Sequence, residues 1–117
     1  MAQPLTVIGA PSSAGAYAPG QEKAPEALRA AGLLEYLNAR GITVDDRGDV
    51  PDFRWRVDRV NPRAMNADMV ATVATATVDR VAAALAEGAA VLVLGGDCTV
   101  ELGTVAGALA ETDSIGL

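Results

Sequence analysis

Four consecutive residues carry most of the chemistry this 117-residue chain offers. Gly95-Gly96-Asp97-Cys98 sets a carboxylate beside the chain's one cysteine, directly after the apolar run Ala90-Val91-Leu92-Val93-Leu94 and just before a helical pattern. The run predicts a strand buried on both faces, and the paired glycines predict a tight turn at its carboxyl end. In an open α/β sheet, ligands bind beyond the carboxyl ends of the strands. Asp97 and Cys98 are therefore the candidate site residues, with Gly95 and Gly96 shaping the approach to them. Asp97 either orients a ligand or accepts the free N–H groups of the following helix, and the two roles are compatible. Cys98 either presents sulfur to a ligand or is a small, buried apolar filler. Glu101, in the first turn of the helix, favours its dipole and needs no further role.

The elements that must position this turn read as alternating strands and helices. A first strand is expected over residues 5–9, followed by a small-residue loop from Ala10 to Gly20. A helix starts at Pro25, carries Ala27, Ala30, Leu33, Leu34 and Leu37 on one stripe, and ends at Gly41. Residues 42–44 form a short second strand, and Asp46 and Asp49 are turn acids that satisfy backbone donors. Arg29 reads as a solvated helix residue, its alternative being a pair with a carboxylate at the sheet edge. Residues 51–63 break the pattern with Arg54, Trp55, Arg56, Arg59 and Arg63. These arginines read as a solvated loop, or as a surface for an anionic substrate group or a neighbouring subunit. Trp55 marks a contact or covers the sheet edge.

The longest helix is capped by Asn66, has Asp68 in its first turn, carries Val70, Val73, Thr77, Val81 and Leu85 on one face, and stops at Gly88. A last helix spans about residues 99–110, where Gly103 and Gly107 predict close packing. Ser114-Ile115-Gly116-Leu117 reads as the opening of a further strand. The alternation predicts an α/β fold, three-layer αβα, with a mostly parallel doubly wound sheet. Residues 1–117 are expected to be the amino-terminal portion of a single larger domain of this kind.

Composition narrows the function. Half of the residues are hydrophobic and only 3% aromatic, so the core must be built from Ala, Val and Leu. A net charge of −6 argues against nucleic acid or an anionic membrane as a partner. One cysteine excludes an internal disulfide, and no basic signal segment opens the chain, which together fit a cytoplasmic protein. No run approaches the ~20 apolar residues of a membrane span. With no histidine present, a Ser/His/Asp or Cys/His relay is impossible within these residues. The loop from Ala10 to Gly20 lacks a GxxxxGK[ST] pattern, and no GxGxxG follows the first strand, so nucleotide binding is disfavoured.

Three stretches, in order, resemble the arginase/agmatinase/formimidoylglutamase group, the ureohydrolase family. Gly9-Ala10-Pro11 with Gly15 and Gly20 is similar to its opening glycine-rich loop. Ala24-Pro25-Glu26-Ala27-Leu28-Arg29 through Gly32-Leu33, then Asp46-Arg47-Gly48-Asp49, resemble its "GP..lR..gL" helix and "D.GD" turn. Gly95-Gly96-Asp97-Cys98-Thr99 with Gly103 resembles its GGDHS signature, with Cys98 in the histidine position.

The resemblance implies hydrolysis of a C–N bond in a small guanidino or formimino substrate, with water activated by two manganese ions. It also implies that the remaining metal ligands belong to later Asp/His motifs, and a homo-oligomer is expected. Manganese prefers carboxylate, imidazole and water, whereas thiolate suits softer ions. Cys98 therefore ligates manganese weakly, recruits a softer metal, or fills a site that has lost one or both ions. In that last case the whole is a non-catalytic, arginase-like binding protein.

Overall fold

The computed structural model describes residues 3–116. Its centre is a three-stranded parallel sheet of β1 (Leu5–Ala10), β2 (Val44–Asp49) and β3 (Ala90–Gly95) in the order β2-β1-β3. Leu5 pairs with Val44 on one side and Ala90 on the other, and the β1–β3 register runs unbroken to Ala10 and Gly95. Between the strands lie α1 (Ala24–Ala30), α2 (Leu33–Ala39) and α3 (Ala67–Ala86), and α4 (Val100–Leu109) follows β3.

Side chains alternate across β1, and that alternation separates two helical layers. Ile8 and Ala10 face Val73 and Val81 of α3 and Val100 of α4 in the main buried cluster. On the opposite face, a β-carbon added at Gly9 would strike the Asp49 carboxylate and approach Arg29 of α1. Helices therefore cover both faces of the sheet, as the three-layer expectation requires.

Gly103 and Gly107 let α4 lie directly on α3. A β-carbon at Gly103 would sit 2.5 Å from the Ala74 carbonyl oxygen, and one at Gly107 would sit 2.8 Å from the Val81 Cβ. At α3's carboxyl end, Gly88 takes φ +85° and closes the helix as expected.

Several local expectations are corrected. The single helix from Pro25 to Gly41 is two short helices, because Gly32 turns left-handed at φ +92°. Its stripe is only partly covered, with Leu33, Leu34 and Leu37 half-buried and Ala27 and Ala30 exposed. The second strand begins at Val44, after Ile42 and Thr43, and runs through the acids. Asp46 and Asp49 lie on that strand, not in a turn, although Asp46 still accepts the Gly48 N–H. An edge strand tolerates such charge.

Arg29 is not merely solvated: it pairs with Asp46 at 2.9 Å and with Asp49 at 2.5 Å. β3 also lies at an edge of the sheet, so Val91, Leu92 and Val93 are half-buried, not covered on both faces. Asn66 stands at the N-cap of α3, but makes no side-chain cap bond. It is left-handed at φ +58° and donates its side-chain N–H to the Arg56 carbonyl oxygen.

Residues 114–116 form no strand, and Leu117 lies outside the described residues. The expectation that nothing reaches membrane-spanning length also needs correction. By length and composition α3 is long and apolar enough, at 20 residues and a mean hydropathy of 1.4. Its threonines break the apolar run on paper, yet Thr72, Thr75 and Thr77 each return their hydroxyl to the carbonyl four residues back. In this fold, its Val73, Thr77, Val81 and Ala84 are buried.

The Arg29 clasp makes stability depend on acid. Burial acts to raise the Asp46 pKa, but the Arg29 guanidinium and the Gly48 N–H outweigh it and hold the carboxyl below its ordinary value. The unfolded chain then takes up this proton more readily than the folded one. The stabilisation is complete above the ordinary carboxylate range and is lost as pH falls through the folded value. Urea denaturation at pH 6 and pH 3 should show a smaller acid-induced loss for Asp46→Asn than for the native chain. Equal losses would assign the acid sensitivity elsewhere.

Candidate functional site

Three segments converge beyond the carboxyl ends of β1 and β3. The β-ladder continues past both strands, with the Gly96 N–H donating to the Ala10 carbonyl (3.1 Å) and the Asp97 N–H to the Ser12 carbonyl (2.9 Å). No side chain fits at residue 96 in this arrangement, because a β-carbon there would lie 1.9 Å from the Ser12 carbonyl oxygen. Gly95 is different: its β-carbon would meet only Val100 Cγ1, at 3.5 Å. Of the two candidate glycines, Gly96 is the one the geometry requires.

Asp97 joins the two loops. It is 6% exposed. One carboxylate oxygen accepts the Gly15 N–H at 2.9 Å, and the other accepts the Thr99 N–H at 2.7 Å together with the Thr99 hydroxyl. The carboxylate therefore satisfies a donor in the turn leading into α4 and, by the same group, anchors the loop after β1. The carboxylate does not cap α4 itself: the Val100, Glu101 and Leu102 N–H groups go to the backbone carbonyls of Asp97, Cys98 and Thr99. Gly15 is as constrained as Gly96, since a β-carbon there would lie 2.2 Å from Thr99 Cγ2.

The segment around Phe53 clamps the loop after β1 from the other side. Phe53 donates its N–H to the Pro11 carbonyl (3.0 Å), its own carbonyl accepts the Ser13 N–H (2.9 Å), and the Ser13 hydroxyl accepts the Trp55 N–H (2.7 Å). Ser12 and Ser13 are fully buried. In the sequence they stand out only as small polar residues within a small-residue loop, and Thr99 only as the last residue of the glycine-rich motif.

The basic loop is solvated as expected, with Arg54, Arg56, Arg59 and Arg63 all exposed. Arg54 pairs with Glu22, and Arg56 stacks over Phe53 with 5.1 Å to the ring centroid. Trp55 is half-buried, and its indole N–H is enclosed without an acceptor.

Cys98 is exposed among the described residues. With Asp97 turned inward by its three donors, the next residue faces out at the start of α4. There it borders a shallow apolar groove of about 350 Å³ with Leu102, Val105 and Leu109.

The fit to manganese can be tested from the donors present. Among the described residues, no group of three His, Cys, Asp or Glu is placed to hold a metal ion. Both Asp97 oxygens are already engaged, and the exposed donor beside them is a soft thiol. The residues of this chain do not by themselves fit manganese.

The fold and the turn together define a parallel α/β protein with its candidate site at the strand ends. The model of the arginase family matches residues 3–117, and the chain belongs to the arginase family. It is 32% identical over 117 residues to the arginase of Bacillus subtilis (strain 168), covering 100% of this chain and 39% of that protein. It is 35% identical over 103 residues to arginase-1 of Homo sapiens, covering 88% and 32% respectively. Among solved structures, the arginase from Bacillus cereus superposes with a TM-score of 0.78 at 33% identity, over 93% of this chain and 35% of that one. The arginase from Bacillus subtilis gives 0.76 at 32% identity, over 90% and 33%. The chain thus spans 29–39% of the length of the curated relatives it matches.

Proposed function

We propose that the full-length protein containing this chain is a ureohydrolase: it hydrolyses a C–N bond of a small guanidino or formimino compound. The observation that carries this reading is the Gly95-Gly96-Asp97-Cys98 turn, latched at the strand ends so that residue 98 is presented outward while Asp97 is held inside. In this reading the chain supplies the framework. Asp97 fixes the loop after β1 to the turn after β3, and Cys98 lies at the opening. Manganese is the ion the family implies, and the ligands to hold it would come from outside these residues.

The expected result is release of urea or ammonia from guanidino or formimino compounds by the full-length protein with manganese supplied, and none by residues 1–117 alone. Release by the 117 residues alone would refute this division of labour. Absence of release by the full-length protein from any such compound would refute the hydrolase reading.

The thiol at residue 98 favours a second reading, an arginase-like protein that binds a ligand or partner without catalysis. Full-length protein that binds a guanidino compound without turning it over, and retains no metal, would establish it.

A further inference from the structure

A short strap in the loop after β1, Ala16 to Pro19, is held at each end by an enclosed carboxylate. At one end the Gly15 N–H donates to Asp97 at 2.9 Å. At the other the Gly20 N–H donates to Glu22 at 2.6 Å, and Arg54, from the loop after β2, closes on the same carboxylate at 2.5 Å. The Glu22 side chain keeps only 10% of its surface exposed. Burial acts to raise its pKa, but the Gly20 and Glu22 N–H groups, the Ser13 hydroxyl and the Arg54 guanidinium outweigh it and hold the carboxyl below its ordinary value. The group therefore stays charged at neutral pH. Gly20 turns the corner at φ +137°, which residues with side chains rarely adopt, and Pro19 fixes φ just before it.

Between these anchors the strap presents Tyr17 with 93% of its surface open. Tyr17 stands two residues from Gly15, beside the turn that holds Asp97 in and turns Cys98 out. Loop residues set on a rigid scaffold beyond the carboxyl ends of parallel strands are where α/β proteins place ligand contacts. Because the backbone beneath the ring is already ordered, covering it costs little conformational freedom and removes apolar surface from water.

We propose that Tyr17 is a ligand-contacting residue at the mouth of the site, and that Glu22 is the positioning residue that holds it there. The proposal rests on the C–N hydrolase reading, which gives neither residue a role. Tyr17 covers the part of the bound compound that faces the mouth, so it acts on binding and leaves the bond-breaking step to other groups.

The test uses the full-length protein with manganese supplied and three probes: arginine, agmatine and formiminoglutamate. Calorimetry gives affinities, and initial rates give kcat and KM. Tyr17→Ala should weaken binding of the best-bound probe, and raise its KM, about fivefold, with kcat unchanged within about twofold. Glu22→Gln keeps an acceptor for Gly20 but drops the charge that holds Arg54. It should shift binding in the same direction, and add nothing further in the Tyr17→Ala background. Tyr17 is exposed, so its variant should keep the fold. If Glu22→Gln unfolds, Arg54→Gln takes its place, because Arg54 is exposed and its loss frees the same carboxylate.

Binding and KM unmoved by Tyr17→Ala would overturn the proposal while leaving the hydrolase reading intact. An effect of Glu22→Gln that is equally large with and without Tyr17 would overturn the positioning role. Weaker binding by Tyr17→Ala in a protein that hydrolyses none of the three would uphold the contact and count against the hydrolase reading. A protein that binds none of them would overturn both.

Discussion

Gly96→Ala will destabilise the full-length protein by about 3 kcal/mol or more, since the new methyl group and the Ser12 carbonyl cannot share the 1.9 Å between them. The obstacle is backbone, so no rotamer change relieves it. The two loops must part, which removes the Gly96-to-Ala10 and Asp97-to-Ser12 bonds, each worth roughly 1 kcal/mol, and leaves polar groups stranded in a buried place. Gly95→Ala is the matched control, because its methyl group meets Val100 at an ordinary 3.5 Å. That change should stay within about 1 kcal/mol of the native protein. Urea titrations of the three proteins decide the matter, and similar midpoints for both variants would show that the turn is not interlocked.

Cys98→His should raise manganese affinity in the full-length protein by at least about tenfold, because imidazole is a better donor to that ion than thiolate and stays neutral near pH 7. Fold stability should change little, since residue 98 is exposed. The check is metal analysis after equal manganese exposure, with thermal unfolding of both forms alongside. If the family's other ligands have also been lost, the variant will hold no more manganese than the native protein, and the non-catalytic reading gains. Tight manganese binding by the native form that disappears in Cys98→His would overturn the argument from donor softness.

What could be read from the sequence, and what could not, follows from the range of the interactions involved. β1, β3, α3 and α4 were legible because long apolar runs and a helical stripe announce buried surfaces, and glycines at 88, 103 and 107 mark a stop and a close contact. β2 was misplaced because its stabilising partners are distant in sequence: Asp46 and Asp49 look like turn acids until Arg29 of α1 is brought over them. The helix from Pro25 looked continuous because Gly32 costs little as a letter and much as a backbone conformation. At the site, Gly96 and Asp97 were legible as a pair. The role of Asp97 as a tie to Gly15 was not, since 82 residues separate them. The exposure of Cys98 followed from where Asp97 points, which no local pattern encodes.

The strand order β2-β1-β3 has a consequence for how the protein is made. The first strand to be synthesised is the middle one, and its partner on one side, beginning at Ala90, lies 85 residues after Leu5. At roughly 5–20 residues per second, a ribosome takes about 4 to 17 seconds to supply it. Until β2 is made the nascent β1 is open on both edges, and from then until β3 it keeps one open edge, while the loop after it has neither Gly96 nor Asp97 to hold it. Such long-range closure is slow in free refolding as well. Translation speed between β2 and β3, rather than the stability of the finished sheet, then governs how long that edge is available to a chaperone or to another nascent chain.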